Sequence, residues 1–133
     1  MNIAFFLLPK SEVVCIQAAS TVRQTLEKME HHRYTAVPVI DENGRYIKTI
    51  TEGDLLWKIK NTEGLTFQTC NHHYIKDMKV NRDYQPVHID AEMEDLMILV
   101  EVQNFVPVVD DNEVFIGIIR RMDIIQYLRK KST

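Results

Sequence analysis

Cysteine is scarce, with only Cys15 and Cys70 in 133 residues. Two are too few for a disulfide framework, and nothing here points to an oxidising compartment. Glycine is scarce too: there are four, and none falls in a P-loop or a GxGxxG turn. Long apolar runs are missing. The run from Ile3 to Leu8 lacks a basic leader and meets Pro9-Lys10, so it reads as neither signal peptide nor membrane span. It is expected to pack as a short helix against the core of a cytoplasmic protein.

A basic excess is also lacking. Sixteen Lys and Arg against nineteen Asp and Glu leave a net charge of −3, which argues against a general nucleic-acid binder. The short cluster Arg129-Lys130-Lys131 reads as a solvated helix end that complements the helix dipole. No HExxH and no nucleophile elbow occurs, so no catalytic residue is expected. His31-His32 and Cys70-Asn71-His72-His73 lack CxxC or HxxxH spacing. Adjacent histidines point different ways, and no metal site is expected.

What the chain does have is a repeat. Thr35 to Leu56 (TAVPVIDENGRYIKTITEGDLL) aligns without a gap to Asn104 to Ile125 (NFVPVVDDNEVFIGIIRRMDII), at an offset of 104 − 35 = 69. Val37/Val106, Pro38/Pro107, Val39/Val108, Asp41/Asp110, Asn43/Asn112, Ile47/Ile116, Ile50/Ile119 and Asp54/Asp123 are identical. A unit used twice implies two copies of one supersecondary structure.

Each copy reads as strand, helix, two strands and helix. Val13 to Ile16 is β-branched and predicts a short strand. Thr21-Val22-Arg23-Gln24 fits a capping box ahead of the stripe Val22, Leu26 and Met29. Ala36–Ile40 and Tyr46–Ile50 predict a hairpin across Asn43-Gly44. A helix then runs from about Glu52 to Lys60, with Leu55, Leu56 and Ile59 inward. In the second copy Pro86 to Ile89 is extended, and Asp90 is expected to cap a helix carrying Met93, Leu96, Met97 and Val100. Phe105–Val109 and Val114–Ile119 form the second hairpin, and Met122–Lys130 the last helix. The polar stretch 63–74 is taken as the linker between units 1–62 and 75–133.

This order, with A-V-P-V-I-D and T-I-T-E-G-D-L-L, then F-V-P-V-V-D and G-I-I-R-R-M-D-I-I, closely resembles a tandem pair of CBS domains, a Bateman module. The resemblance spans about Pro9 to Leu128. It implies a mixed α/β fold of two β-α-β-β-α units with pseudo-two-fold symmetry. It also implies a non-catalytic sensor with no resident cofactor, which binds an adenine nucleotide in clefts between the units: AMP, ADP, ATP, S-adenosylmethionine or cyclic di-AMP. A homodimer and an unidentified regulated protein are the implied partners, with no nucleic acid and no membrane. The alternative is a structural dimerisation module whose clefts are degenerate and empty.

The motif that carries the ligand in this family is matched by Thr49-Ile50-Thr51-Glu52-Gly53-Asp54. The Asp54 carboxylate can accept from ribose hydroxyls and Thr51 can bridge sugar and phosphate. Free N–H groups of the helix start favour a phosphate, while Tyr34, Thr35, Ala36 and Pro38 would wall the adenine. Thr51-x-x-Asp54 is equally a capping box. In the second copy Arg120 stands at the hydroxyl position and Asp123 remains. Arg120 and Arg121 either grip phosphate bidentately, or Arg120 pairs with Asp123 and fills the cleft. Tyr84, Phe105 and Pro107 would line this second cleft, with Phe105 reading first as plain core. Lys48 is expected to point to solvent, and Trp57 to serve the core or a dimer contact.

Overall fold

The structure, a computed structural model, describes residues 2–80 and 84–132. In chain order the elements are β1 (Leu8–Pro9), β2 (Ile16–Gln17), α1 (Val22–His32), β3 (Ala36–Ile40), β4 (Tyr46–Thr51) and α2 (Glu52–Asn61). Then follow β5 (Val87–His88), α3 (Met93–Val100), β6 (Phe105–Val109), β7 (Phe115–Arg120) and α4 (Arg121–Lys131). Short 3-10 turns occupy Ile3–Phe6, Lys10–Glu12, Cys70–His72 and Ile75–Asp77. The fold is mixed α/β.

The repeat is visible in the hydrogen-bond register. Ala36 faces Thr51, Val37 faces Ile50 and Val39 faces Lys48 in the antiparallel β3–β4 pair. Sixty-nine residues on, Phe105 faces Arg120, Val106 faces Ile119 and Val108 faces Gly117. In each copy a short parallel strand joins the hairpin: β2 sets Ile16 beside Val39, and β5 sets Val87 beside Val108. Both hairpin turns use the same device. Asp41 Oδ1 accepts from the N–H of Asn43 and Arg45 at 2.8 and 2.9 Å, and Asp110 Oδ1 from Asn112 and Val114 at 2.8 and 3.0 Å.

Capping fixes where the helices begin. Thr21 Oγ1 accepts the Gln24 N–H at 3.1 Å while Gln24 Oε1 accepts the Thr21 N–H at 2.9 Å, so α1 starts as predicted. Three local expectations are corrected. β2 begins at Ile16 because the Val13 N–H instead closes the Lys10–Glu12 turn on Lys10 O, at 3.0 Å. The residue before α3 is Glu92, not Asp90, and the Glu92 N–H donates to Asp95 Oδ2 at 3.3 Å in a capping box two residues later than expected. Leu56 is 57% exposed; its neighbour Leu55 takes the inward position, and one residue along a helix turns about 100° away.

Contacts divide the chain into two units, Val14–Asp83 on one hand and Met1–Val13 with Tyr84–Thr133 on the other. These compact units differ from the repeat limits 1–62 and 75–133 at both ends. The lead-in does not belong with the first copy: β1 pairs with β7, Leu8 opposite Ile118 and Pro9 opposite Gly117. Ile3 and Phe6 are buried with Leu96, Val100, Val106 and Ile124. Nor is the stretch after Asn61 a mere linker. Leu65, Cys70, Ile75 and Met78 are buried with Ile16, Val37 and Leu55 of the first copy. Backbone bonds hold it there, from the N–H of Ile75 to Ser20 O and of Lys76 to Ala18 O, both 2.9 Å. Each copy thus completes its core with the segment that precedes the other copy in sequence.

The two joints differ at one repeat position. Gly117 lets the backbone of Leu8 lie against β7, and a Cβ there would strike Leu8 O and Leu7 Cδ1. At the matching position of the first copy stands Lys48, whose side chain, not its backbone, holds the corresponding segment. Gly117→Ala is therefore expected to destabilise the second unit by about 1–3 kcal/mol through overpacking, read as a lower midpoint in chemical denaturation. An unchanged midpoint would show that β1 is not held as described.

Candidate functional site

The hairpin register delivers one strand–helix junction in each copy. In the first, Ala36 lies opposite Thr51, and the Glu52 N–H donates to Thr35 O at 2.9 Å. Residues fifteen and seventeen apart in sequence therefore meet where α2 begins. The Asp54 N–H donates to Thr51 Oγ1 at 3.1 Å and Asp54 Oδ2 accepts the Thr51 N–H at 2.9 Å. The capping reading of Thr51-x-x-Asp54 is thus realised, and it holds the carboxylate in place, only 3% exposed. Thr35, Ala36, Thr51 and Asp54 come together as expected. Tyr34 is 41% exposed and stacks on His32, ring centroids 5.5 Å apart. Tyr34 and Thr35 line a groove of about 500 Å³ with Arg23, Glu30 and Glu52. Pro38 is buried in the sheet opposite Thr49.

Lys48 does not point freely to solvent, a correction to the sequence reading. Its ammonium donates to Ile75 O at 2.8 Å and to Met78 O. Burial pushes the group below the ordinary lysine range, while the negative fields of Asp77 and Asp54 oppose that shift. A cation at this depth stays because two carbonyls solvate it.

In the second copy the geometry repeats and the chemistry changes. Phe105 lies opposite Arg120, and the Arg121 N–H donates to Asn104 O at 2.9 Å. Arg120 makes no capping bond. Instead its Nε and Nη2 donate to Asp123 Oδ2 and Oδ1 at 2.9 and 3.4 Å. Of the two readings for Arg120, the structure shows the pair with Asp123. Arg121 Nε donates to Val100 O and Gln103 O at 2.7 and 3.1 Å, binding the end of α3 to the start of α4. Tyr84 and Phe105 are 5% and 8% exposed and pack on each other, centroids 5.2 Å apart; they serve the core. Pro107 is buried opposite Ile118.

Sequence reasoning missed Gln103, which is 2% exposed. Its amide accepts from the Gln85 N–H at 2.8 Å and donates to Gln85 O and Phe105 O at 3.1 and 3.2 Å. The only signal was the repeat itself, which sets Gln103 at the position of Tyr34. His88 was missed as well. Its Nε2 meets Asp111 and its Nδ1 accepts the Asp90 N–H at 3.1 Å, so the imidazole clips β5 to the hairpin turn with both nitrogens engaged.

The strand–helix junction occurs twice, and the CBS domain pattern matches the chain twice, over residues 7–61 and 75–130. The chain belongs to the CBS-domain family. Among solved structures, CbpB in complex with c-di-AMP superposes with a TM-score of 0.87 at 23% identity, covering 98% of this chain and 85% of that one. A conserved hypothetical protein of Geobacillus kaustophilus gives 0.88 at 23% identity, covering 98% of each chain. CBSX2 in complex with AMP gives 0.77 at 22% identity, covering 99% of this chain and 98% of that one. At such identities the likeness carries the fold. No curated protein matches the sequence significantly. No helix among the described residues is long and apolar enough to cross a membrane.

Lys48→Met removes the donor that two carbonyls share and leaves them facing an apolar chain. A loss of about 1–2 kcal/mol is expected, measured by urea denaturation against the parent chain. A neutral result would mean the segment 75–78 is held without the ammonium.

Proposed function

We propose that this CBS pair is a non-catalytic regulatory sensor, and that its ligand is an adenine nucleotide bound at the junctions carrying Asp54 and Asp123. The observation that carries the reading is the openness of the Arg120–Asp123 pair, which leaves a half-exposed guanidinium at the second junction where the empty-cleft alternative needs a closed plug. Asp123 sits where Asp54 caps α2, yet its neighbour Arg120 makes no cap, so the carboxylate is retained with another partner. That pair is partly open, with side-chain exposures of 54% and 29%. An ion pair this exposed is worth only about 0–1 kcal/mol. A phosphate can take over the guanidinium at small cost, in the bidentate geometry arginine favours. Asp123 is then released for ribose hydroxyls, the role Asp54 can fill in the first copy. The cyclic di-AMP bound by CbpB and the AMP bound by CBSX2 supply the ligand class: AMP, ADP, ATP, S-adenosylmethionine or cyclic di-AMP.

The protein would act as a cytoplasmic homodimer, passing its state to a regulated protein. Binding shifts the population between two arrangements of a dimer or partner surface. The shift is limited by the difference in ligand affinity between those arrangements.

The test is a thermal-shift screen of the full chain against those five ligands and GTP, with Asp54→Ala, Asp123→Ala and Arg120→Ala alongside. A ligand at 100 times its Kd should stabilise by about 2.7 kcal/mol. One adenine ligand is expected to do so, and to lose the effect in at least one variant. Asp54→Ala should also cost about 1 kcal/mol without ligand, through its cap. No shift with any ligand would overturn the sensor reading and favour a structural module with empty clefts. Nucleotide turnover by the purified chain would overturn the non-catalytic one.

A further inference from the structure

The lead-in that β1 anchors to the second copy also shapes the surface of that copy. Phe5–Leu8 and one face of α4 enclose a groove of about 360 Å³ that includes Arg120 and Asp123. Phe5 is its unusual wall: the ring is 71% exposed, yet its place is fixed. The 3-10 turn that carries it is capped by Asn2, whose Oδ1 accepts the Ala4 N–H at 2.8 Å, and Ile3 and Phe6 on either side are buried. The Phe5 ring meets Phe6 and Tyr127 edge-on, with centroids 5.1 and 6.3 Å away. A phenyl held by edge contacts and open to water is a preorganised stacking platform.

The polar side chains of the groove follow one another along α4: Arg120, Asp123 and Gln126, with Tyr127 beside the last. Steps of three and four residues keep them on one face of the helix. At a rise of 1.5 Å per residue, Asp123 lies about 4.5 Å along the axis from Arg120, and Tyr127 about 6 Å further. Those steps match the order and the scale of phosphate, sugar and base in one nucleotide. A guanidinium suits the phosphate, a carboxylate the ribose hydroxyls, and an aromatic ring the face of the base. The Gln126 amide, exposed in the same groove, offers a donor and an acceptor, the pair that reads the N6 and N7 edge of adenine.

Size and charge narrow the ligand. The volume lies at the small end of ligand pockets, which run from about 300 to 1,000 Å³, so it suits one nucleotide rather than two. Arg120 and Lys130 outnumber Asp123 in the lining, a balance that attracts an anion and repels the cationic S-adenosylmethionine. In the groove of the first copy Glu27, Glu30 and Glu52 outnumber Arg23 and Arg33, the opposite balance.

We propose that the second-copy groove takes a single adenine nucleotide (AMP, ADP or ATP) lengthwise, its phosphate on Arg120, its ribose on Asp123, its base on Phe5 and the adenine edge on Gln126. Phe5 and Gln126 lie outside the repeated stretches 35–56 and 104–125, so this half of the site belongs to the second copy alone. The inference rests on the sensor reading above and adds the ligand's size class and the residues that select its base.

The experiment is isothermal titration calorimetry of the full chain with AMP, ATP, GMP, GTP, cyclic di-AMP and S-adenosylmethionine. AMP or ATP is expected to bind tightest. Phe5→Ala should weaken it about 5- to 150-fold, the range of one stacked base, while Phe5→Trp should keep it. Gln126→Ala should narrow the preference for adenine over guanine by about fivefold or more. Both side chains are exposed, and circular dichroism confirms that each variant is folded. An adenine nucleotide that binds Phe5→Ala as tightly as the parent, or an adenine preference unmoved by Gln126→Ala, overturns this groove and leaves the sensor standing. Tightest binding of cyclic di-AMP or S-adenosylmethionine does the same. Binding of none of the ligands overturns the sensor reading itself, and this inference with it.

Discussion

A slip of one residue in either hairpin would turn Val37, Val39 and Ile50, or Val106, Val108 and Ile119, from the core to the opposite face of the sheet. All six are fully buried, so the register is held by the hydrophobic effect at several kcal/mol per copy. Everything at the junctions follows from that register. It sets Ala36 across from Thr51 and Phe105 across from Arg120, and the helices begin at the next residue. Three residues after the strand ends, a carboxylate lands beside the first turn in both copies. The chemistry of the site is therefore written on a position that core packing dictates.

With this scaffold constant, the copies differ in how they use the carboxylate. In the first, Asp54 Oδ2 accepts the Thr51 N–H in the capping box that starts α2. In the second, α4 starts without that cap, and Asp123 is bound to a guanidinium that can change partners. A buried carboxylate and a half-exposed one are thus divided between the copies. A buried cap is costly to disturb, whereas a half-exposed ion pair is not. The same division appears at the joints. Gly117 admits a backbone to pair with β7, while Lys48 reaches out with an ammonium to hold a segment that makes no strand.

Much of this was legible in the chain. The gapless offset, the alternating valines and the Thr21 and Thr51 capping boxes gave the hairpins, three helix starts and the meeting of Thr35, Ala36, Thr51 and Asp54. What stayed hidden depends on contacts between residues far apart in sequence. A two-residue strand such as Leu8–Pro9 has no periodicity to say which sheet it joins. Leu65, Cys70, Ile75 and Met78 are scattered through a polar stretch, and only the tertiary fold collects them into a core. Arg121 and Gln103 act on backbone carbonyls and amides, which carry no side-chain signature. The charge of Arg121 invited a ligand role, whereas its Nε joins α3 to α4; Gln103, which holds the 84–85 segment, drew no reading at all.

One helix leads away from the candidate site. α4 begins beside Arg120 and ends in the basic turn Arg129–Lys131; eleven residues at 1.5 Å each span about 16 Å. That is about twice the Debye length of 8 Å at physiological salt. Neutralising Arg120 with a phosphate is therefore screened from the charges at the far end, and electrostatics alone cannot carry a signal between them. A rigid body can. Arg121 fastens the start of α4 to Val100 and Gln103, so a displacement at the junction moves α3 and α4 together. Any coupling of nucleotide to partner in this unit must then be mechanical, its size set by how differently the ligand binds the two positions of that helix pair.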